Sequence, residues 1–280
     1  MSTGVLLLAH GAPERIEDVP EYLAFVRGGQ PVSARVLEEV TSRYARIGGS
    51  SPLTRWTRAQ AEALGRVLGV PVFFGMRNWH PFIQETMDQV RAASVNRLAC
   101  VCLAPQFSEM SVGLYMKRAI AAAEGVELAW ATSYPVEPKL IEAFAERLQG
   151  LRGKVLFTAH SLPTPNEQYD GEARATATAV AARLGLADWE FAYQSQGLSG
   201  GNWLGPTVES CLDRYAAEGV REVVVAPIGF VCDHVEILYD VDVLFREYAA
   251  QRGIALTRPE SLNGSATFTA ALAEVVKRCL

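Results

Sequence analysis

The sequence predicts an α/β protein of two similar halves, each a doubly wound parallel sheet of four strands flanked by helices. Three observations point there. Val5-Leu-Leu-Leu-Ala-His10-Gly-Ala-Pro13 and Val155-Leu-Phe-Thr-Ala-His160-Ser-Leu-Pro163 read almost alike, 150 residues apart. Each is an apolar run long enough for a buried strand, ended by a histidine, a small residue and a proline that forbids the strand from continuing. Val101-Cys-Leu-Ala104-Pro105-Gln-Phe107 returns as Val224-Val-Ala226-Pro227-Ile-Gly-Phe230, so each half has two strand ends of one design. Short apolar runs also alternate with helical patterns along the chain, and parallel strands need helical crossovers. Ligands bind at the carboxyl ends of strands in such sheets, so the repeat predicts one imidazole from each half near a common cleft.

Strands are expected near 4–9, 71–75, 98–103 and 126–131, then 154–159, 189–193, 222–226 and 254–257. Between them, Val36, Val40, Tyr44 and Ile47 form one apolar helical stripe, and Ile141, Phe144, Ala145 and Leu148 form another. Asp170 is placed to cap a helix that closes at Gly185, and Pro206 suits the first turn of one that stops at Gly219. His80 follows a strand and precedes a proline-initiated helix, which suits a positioning role. No low-complexity linker separates the halves, so they are expected to pack closely.

Twenty-six basic against 31 acidic side chains give a net charge of −5 without a basic cluster, which disfavours a nucleic-acid partner and leaves a specific small molecule. Met1-Ser-Thr-Gly4 lacks a positive n-region and the apolar run behind it stops at Ala9, too short for an export signal or a membrane span, so a cytoplasmic protein is expected. Five scattered cysteines, Cys100, Cys102, Cys211, Cys232 and Cys279, suit reduced thiols rather than a disulfide framework. Alternation aims Cys100 and Cys102 at one face of a strand, as core packing. They are not clustered as an iron–sulfur centre requires.

The densest group of metal-capable side chains is Val231-Cys-Asp233-His234-Val235-Glu236-Ile-Leu-Tyr239-Asp240, where a helix would put Glu236 and Asp240 on one face. His160 at its strand end suits a base or a ligand; a ring satisfied by turn backbone is the structural alternative. His10 has the same placement. His234 and Glu236 face one way if extended and diverge if helical, leaving His234 as a ligand, a cap or a support for the true ligand. Imidazole and carboxylate suit iron, zinc and manganese alike, and they also move protons near neutral pH. Gly-x-Gly-x-x-Gly after a strand, the Walker lysine motif and Gly-x-Ser-x-Gly are all absent, so dinucleotide, P-loop and α/β-hydrolase readings lose their specific support.

The motifs together resemble the ferrochelatase family. The matching runs are Leu6-Leu-Leu-Ala-His-Gly-Ala-Pro13, Arg43-Tyr-Ala-Arg-Ile-Gly-Gly-Ser-Ser-Pro-Leu53, Gly75-Met-Arg-Asn-Trp-His-Pro-Phe82, Leu103-Ala-Pro-Gln-Phe-Ser108, Thr158-Ala-His-Ser-Leu-Pro163, Gln194-Ser-Gln-Gly197 with Trp203-Leu-Gly-Pro206, and Gly229-Phe-Val-Cys-Asp-His-Val-Glu-Ile-Leu-Tyr-Asp240. They stand in the family's order over nearly the whole chain. The resemblance implies Rossmann-like domains at 1–148 and 149–262, a porphyrin cleft between them, and a C-terminal segment, 263–280, whose helix returns to the first domain.

It also implies insertion of Fe2+ into coproporphyrin III or protoporphyrin IX in haem biosynthesis, a lyase reaction, with His160 and Glu236 as the catalytic pair. His160, Glu236, His10 and Asp240 are the implied metal-facing groups, and His10, Arg27, Arg43, Tyr44, Ser51 and Tyr115 the implied substrate contacts. Leu8, Trp79, Phe107 or Tyr115 would wall the ring face. Iron enters as substrate, with no permanent cofactor and no iron–sulfur cluster. A monomer with no integral membrane segment is expected, meeting porphyrin, ferrous iron and, transiently, neighbouring haem-pathway enzymes. Three stretches depart from the pattern: His10 stands where the coproporphyrin type carries a tyrosine, Leu244 and Tyr248 interrupt a carboxylate row beyond Asp240, and Gly28-Gly29 follow Arg27 in place of further arginine. The alternative readings are a cobalt or nickel chelatase of another tetrapyrrole, which paired histidines would suit, and a non-catalytic haem carrier that keeps the cleft, which the interrupted carboxylate row would suit.

Overall fold

The computed structural model describes residues 2–197 and 201–280; Met1, where the stretch read for an export signal begins, and 198–200 lie outside the described residues. Thr3–Ala9 forms the first strand, β1, and Val5, Leu6, Leu7 and Leu8 are completely buried. An unbroken apolar run is what an inner strand of a parallel sheet needs, because helices cover both faces. The first half continues through α1 (Val19–Val26), α2 (Ala34–Arg46), α3 (Leu53–Leu68), β2 (Val72–Met76), α4 (Ile83–Ala92), β3 (Arg97–Cys102), a π-helical turn (Glu109–Gly113) running into α5 (Leu114–Ala122), β4 (Glu127–Ala131) and α6 (Pro138–Leu148). The second half comprises β5 (Lys154–His160), α7 (Glu167–Leu184), β6 (Trp189–Gln194), α8 (Val208–Ala217), β7 (Glu222–Pro227), the single turn α9 (Val235–Leu238), a π-helical stretch (Asp240–Phe245), α10 (Arg246–Ala250) and β8 (Ala255–Thr257), before α11 (Ala266–Lys277).

The two sheets share one topology, β2-β1-β3-β4 and β6-β5-β7-β8, all parallel. The repeated runs are therefore the equivalent inner strands. Val5 pairs with Val72 and Ala99 in the first sheet, as Val155 pairs with Trp189 and Val224 in the second. One apolar cluster crosses between the halves, joining Val5, Leu7, Ile141 and Phe144 to Phe157, Ala173 and Val224. In it α11 buries Phe268, Leu272 and Val276 against α3 and α6, which ties the chain's last helix to the first sheet. Burial of each such side chain is worth about 1.5–3 kcal/mol. Cys100 and Cys102 pack in the core, and all five cysteines are free thiols. No described helix is long and apolar enough to cross a membrane.

Local chemistry moves three expected helix starts. Asp170 sits inside α7, whose N-cap is Asn166, because the helix starts directly behind Pro165; its carboxylate instead accepts from Arg174 Nε at 2.7 Å and from the Tyr193 hydroxyl. Pro206 lies ahead of α8, where Thr207 takes the cap and accepts from Ser210 N at 3.2 Å. Pro81 likewise precedes α4: Phe82 is the N-cap, and its N–H is met by Glu85 at 2.7 Å. Gly185 and Gly219 end α7 and α8 with φ of 65° and 81°, as expected. Beyond Asp240 the wider π geometry takes over, with Leu244 N donating to Tyr239 O five residues back at 2.9 Å, so 236, 240, 244 and 248 do not form a straight row at helical spacing.

Candidate active site

The carboxyl ends of β1, β2, β3, β5 and β7 converge on an open cleft of about 300 Å3, lined among others by His10, Arg77, Tyr115, His160, His234 and Glu236. A larger hollow of about 600 Å3 lies behind the junction, between the C-terminal ends of α6 and α7, but holds no histidine and none of the strand ends that carry the chemistry. The cleft walls are Tyr22, Leu53, Leu103, Leu162, Phe230 and Val235 together with Tyr115. The expected walls Leu8, Trp79 and Phe107 are not among them. Leu8 points into the core with Ile83 and Met87, Phe107 packs on that same cluster, and Trp79 is buried with Val19 and Tyr22. Alternation along a strand decides this for Leu8, whose side chain leaves the sheet toward α4.

His160 is the last residue of β5, aligned with Gln194 of β6. Its Nδ1 lies 2.5 Å from Ser161 O and donates to it, so Nε2 is the atom that faces Glu236 Oε1, at 3.4 Å. The Tyr169 hydroxyl donates to His160 O at 3.1 Å and steadies the strand end. Glu236 opens α9, and its second oxygen lies 3.5 Å from His234 Nε2. His234 is the extended N-cap of that turn, with Nδ1 donating to Cys232 O at 3.0 Å, and this backbone brings it and Glu236 together. Burial disfavours the His160 cation, but the Glu236 carboxylate outweighs it and raises the imidazole pKa. Burial also opposes the Glu236 charge, yet His160 and His234 hold its carboxyl well below the usual range. Asp240 behaves oppositely. Burial pushes it up to about 6, helped by the Glu236 charge and opposed by the Ser195 hydroxyl, which donates to it, and by Arg43. Ser195 reaches Asp240 from a left-handed backbone, φ 58°.

His10 follows β1 on the opposite wall. Backbone bonds lace its turn to the end of β2, with Arg77 N on Ala9 O at 3.0 Å and Asn78 N on His10 O at 2.9 Å. Gly11 adopts φ +88°, and a Cβ there would stand 2.7 Å from Trp79 N, so only glycine lets these loops approach. Burial, and next the Arg77 charge, lower the His10 pKa to about 4, so the ring is neutral at ordinary pH.

The structure brings together His160 and Glu236, with His10 lining the same cleft and the buried Asp240 outside its lining. Among the described residues no three histidine, cysteine or acidic side chains converge as a metal cage, so the four metal-facing residues expected from the sequence do not form one ligand set. Tyr115 and Tyr44 line the cleft, and the buried Tyr44 hydroxyl has no hydrogen-bond partner. Arg43 is held by Glu39 at 2.5 Å, by Asp240 at 3.9 Å and over the Tyr239 ring. Ser51 is buried, accepting from Leu53 N at 3.3 Å at the start of α3, and does not line the cleft. Arg27 is exposed at the end of α1, also outside the lining. His80 faces solvent, 2.9 Å from Glu85.

Sequence reasoning missed the clamp beneath Glu236. Arg258 binds Asp233 at 3.2 Å and Asp242 at 2.7 Å, while Ser261 and Asn263 also donate to Asp233, so one guanidinium pins both ends of the segment that carries Glu236. It also missed Arg77 and Asn78, for which the signal was their place directly after a strand that ends at the cleft.

The ferrochelatase family model matches residues 2–280. A ferrochelatase of Acidobacterium capsulatum is 44% identical over 98% of this chain and 93% of that protein, and a coproporphyrin III ferrochelatase of Geobacillus kaustophilus is 31% identical over 98% of this chain and 95% of that protein. Among solved structures, the sirohydrochlorin chelatase of Bacillus subtilis subspecies spizizenii in complex with cobalt shares the fold, with a TM-score of 0.66 at 9% identity over 100% of this chain and 95% of that one. Two parallel sheets closing on a cleft with a histidine–glutamate pair, and a family match over the whole described chain, lead to one conclusion: the chain belongs to the ferrochelatase family.

Proposed function

We propose that the chain metallates a porphyrin lying in the cleft, with His160 Nε2 as the acceptor of the pyrrole protons, and that the product is an iron coproporphyrin or protohaem. The observation that carries this reading is the His160–Glu236 pair, in which Nε2 and its charged partner line the cleft while Nδ1 is occupied by backbone. Two N–H protons must leave as Fe2+ exchanges water for four ring nitrogens. His160 accepts a proton, and Glu236, too acidic to hold one itself, stabilises the imidazolium. Asp240, with its pKa near 6, can pass protons outward near neutral pH. The aromatic and aliphatic walls hold the macrocycle and supply the binding energy that bends it toward the metallated shape. The unpartnered Tyr44 hydroxyl and Tyr115 suit polar edge groups of the substrate, and Arg43 suits a carboxylate once released from Asp240. Arg27 and Ser51 are proposed as outer contacts only. His10, neutral and opposite the pair, suits the iron of the bound product. The reading carries lyase chemistry by a cytoplasmic monomer, with no permanent cofactor.

The test is anaerobic mixing of the protein with Fe2+, Co2+ or Zn2+ and with coproporphyrin III or protoporphyrin IX, following metallation in the visible spectrum. Catalysed Fe2+ insertion that falls about 10²–10⁴-fold in His160→Ala is expected. Tight haem binding with no metallation would turn the reading toward a carrier, and insertion of Co2+ alone toward another chelatase.

A further inference from the structure

His10 has two ring nitrogens, and the protein engages one. The Asn78 amide atom 3.1 Å from His10 Nε2 also stands 3.2 Å from Arg77 Nε and 3.3 Å from Arg77 Nη2. The other amide atom also lies 3.3 Å from Arg77 Nε, but only the atom beside His10 meets both guanidinium nitrogens, and since these can only donate, that atom is the oxygen, Oδ1. That oxygen then accepts from His10 as well, and Nε2 must carry the proton of the neutral ring. Asn78 is 4% exposed and its backbone N–H is bonded to His10 O, so it has little freedom to turn. Arg77 is itself fixed, donating to Met110 O at 3.0 Å and lying 5.4 Å over the Tyr115 ring. His10 Nδ1 has no hydrogen-bond partner among the described residues, and the ring lines the cleft.

We propose that Asn78, steadied by Arg77, is a positioning residue that fixes His10 as the Nε2–H tautomer and so presents the Nδ1 lone pair to the metal of a porphyrin bound in the cleft, from the face opposite His160. Binding then needs no proton to leave the ring. The buried amide does for His10 what outer hydrogen bonds do for metal-bound histidines in general, where their loss costs about 10–100-fold in affinity. The inference rests on the porphyrin reading of the cleft only for the identity of the metal complex; the tautomer stands apart from it.

The experiment therefore has two readouts. In metal-free protein labelled with 15N-histidine, long-range proton–nitrogen NMR should show His10 with Nε2 protonated and Nδ1 bare, unchanged in Asn78→Asp, which keeps the acceptor, and averaged between tautomers in Asn78→Leu. With added iron coproporphyrin III, wild type and Asn78→Asp should give an imidazole-ligated spectrum that His10→Ala lacks, and Asn78→Leu should bind about 10–100-fold more weakly. Thermal unfolding of both variants checks that they fold. A bare Nε2 in the wild type, or an Asn78→Leu protein identical to wild type in both readouts, overturns the proposal. The expected tautomer without uptake of the metalloporphyrin overturns its ligand half together with the porphyrin reading, whereas a wrong tautomer in a protein that still metallates porphyrin leaves that reading intact.

Discussion

The ends of β1 and β5 are copies in sequence, strand, alanine, histidine and small residue, and they occupy the same place in two sheets of the same topology. Their histidines nevertheless have opposite properties. Burial disfavours the cation at both rings; at His10 the Arg77 cation adds to it and the pKa falls to about 4, whereas at His160 the Glu236 anion opposes it and the pKa rises. His10 gives Nε2 to a buried amide and keeps Nδ1 for the cleft, whereas His160 gives Nδ1 to backbone and keeps Nε2. A duplicated strand end delivers the same ring twice. The residues that neighbouring strand ends bring against it, Arg77 and Asn78 in one half and Glu236 in the other, decide whether that ring works as a neutral donor or as a base.

The sharpest break of the comparison is His160→Ala, expected to lower metallation about 10²–10⁴-fold while leaving haem binding to the opposite wall. Next comes Glu236→Gln. The base form of His160 appears only above its raised pKa, so the wild-type acid limb should lie above the ordinary histidine value of about 6.5. Removing the carboxylate leaves burial, which favours neutral imidazole, so the limb of the pH–rate profile should move to lower pH as the maximal rate falls about 10–100-fold. An unmoved limb would take the proton-accepting role away from His160.

Arg258→Met sharpens the comparison differently. His10 is held by backbone lacing, but Glu236 depends on one guanidinium that pins Asp233 and Asp242. Leaving these carboxylates without it should cost up to about 3–5 kcal/mol in denaturant unfolding and slow metallation, with His10 spectra unaffected. The smallest effect is expected for His10→Ala, a change of the product spectrum with the insertion rate within about tenfold of wild type.

Much of this was legible because the signals were local. The apolar runs mark the eight strands found among the described residues, and the stripe Ile141, Phe144, Ala145 and Leu148 is buried as one face of α6. That His160 and Glu236 would come near one another was readable from a strand end and a short acidic segment that both lead toward the cleft. The readings that failed depended on competition or distance. Asp170, Pro206 and Pro81 each lost an expected helix-start role to a neighbour whose geometry suited it better. Arg258 lies 16 and 25 residues from the aspartates it joins, and no periodicity links them. Ser51, Arg27 and Arg43 all lie outside the cleft lining, so their proposed role as substrate contacts rests on the motifs. The tautomer of His10 is set by a residue 68 positions away.

One titration addresses the contrast between the two strand ends most directly: the pH dependence of the histidine C2 proton resonances in metal-free protein, assigned with His10→Ala and His160→Ala. His160 should titrate above about 6.5, and His10 should stay neutral until about pH 4. His10 and His160 titrating together near 6.5, or His10 gaining its proton before His160 as pH falls, would contradict the division of labour between the two strand ends.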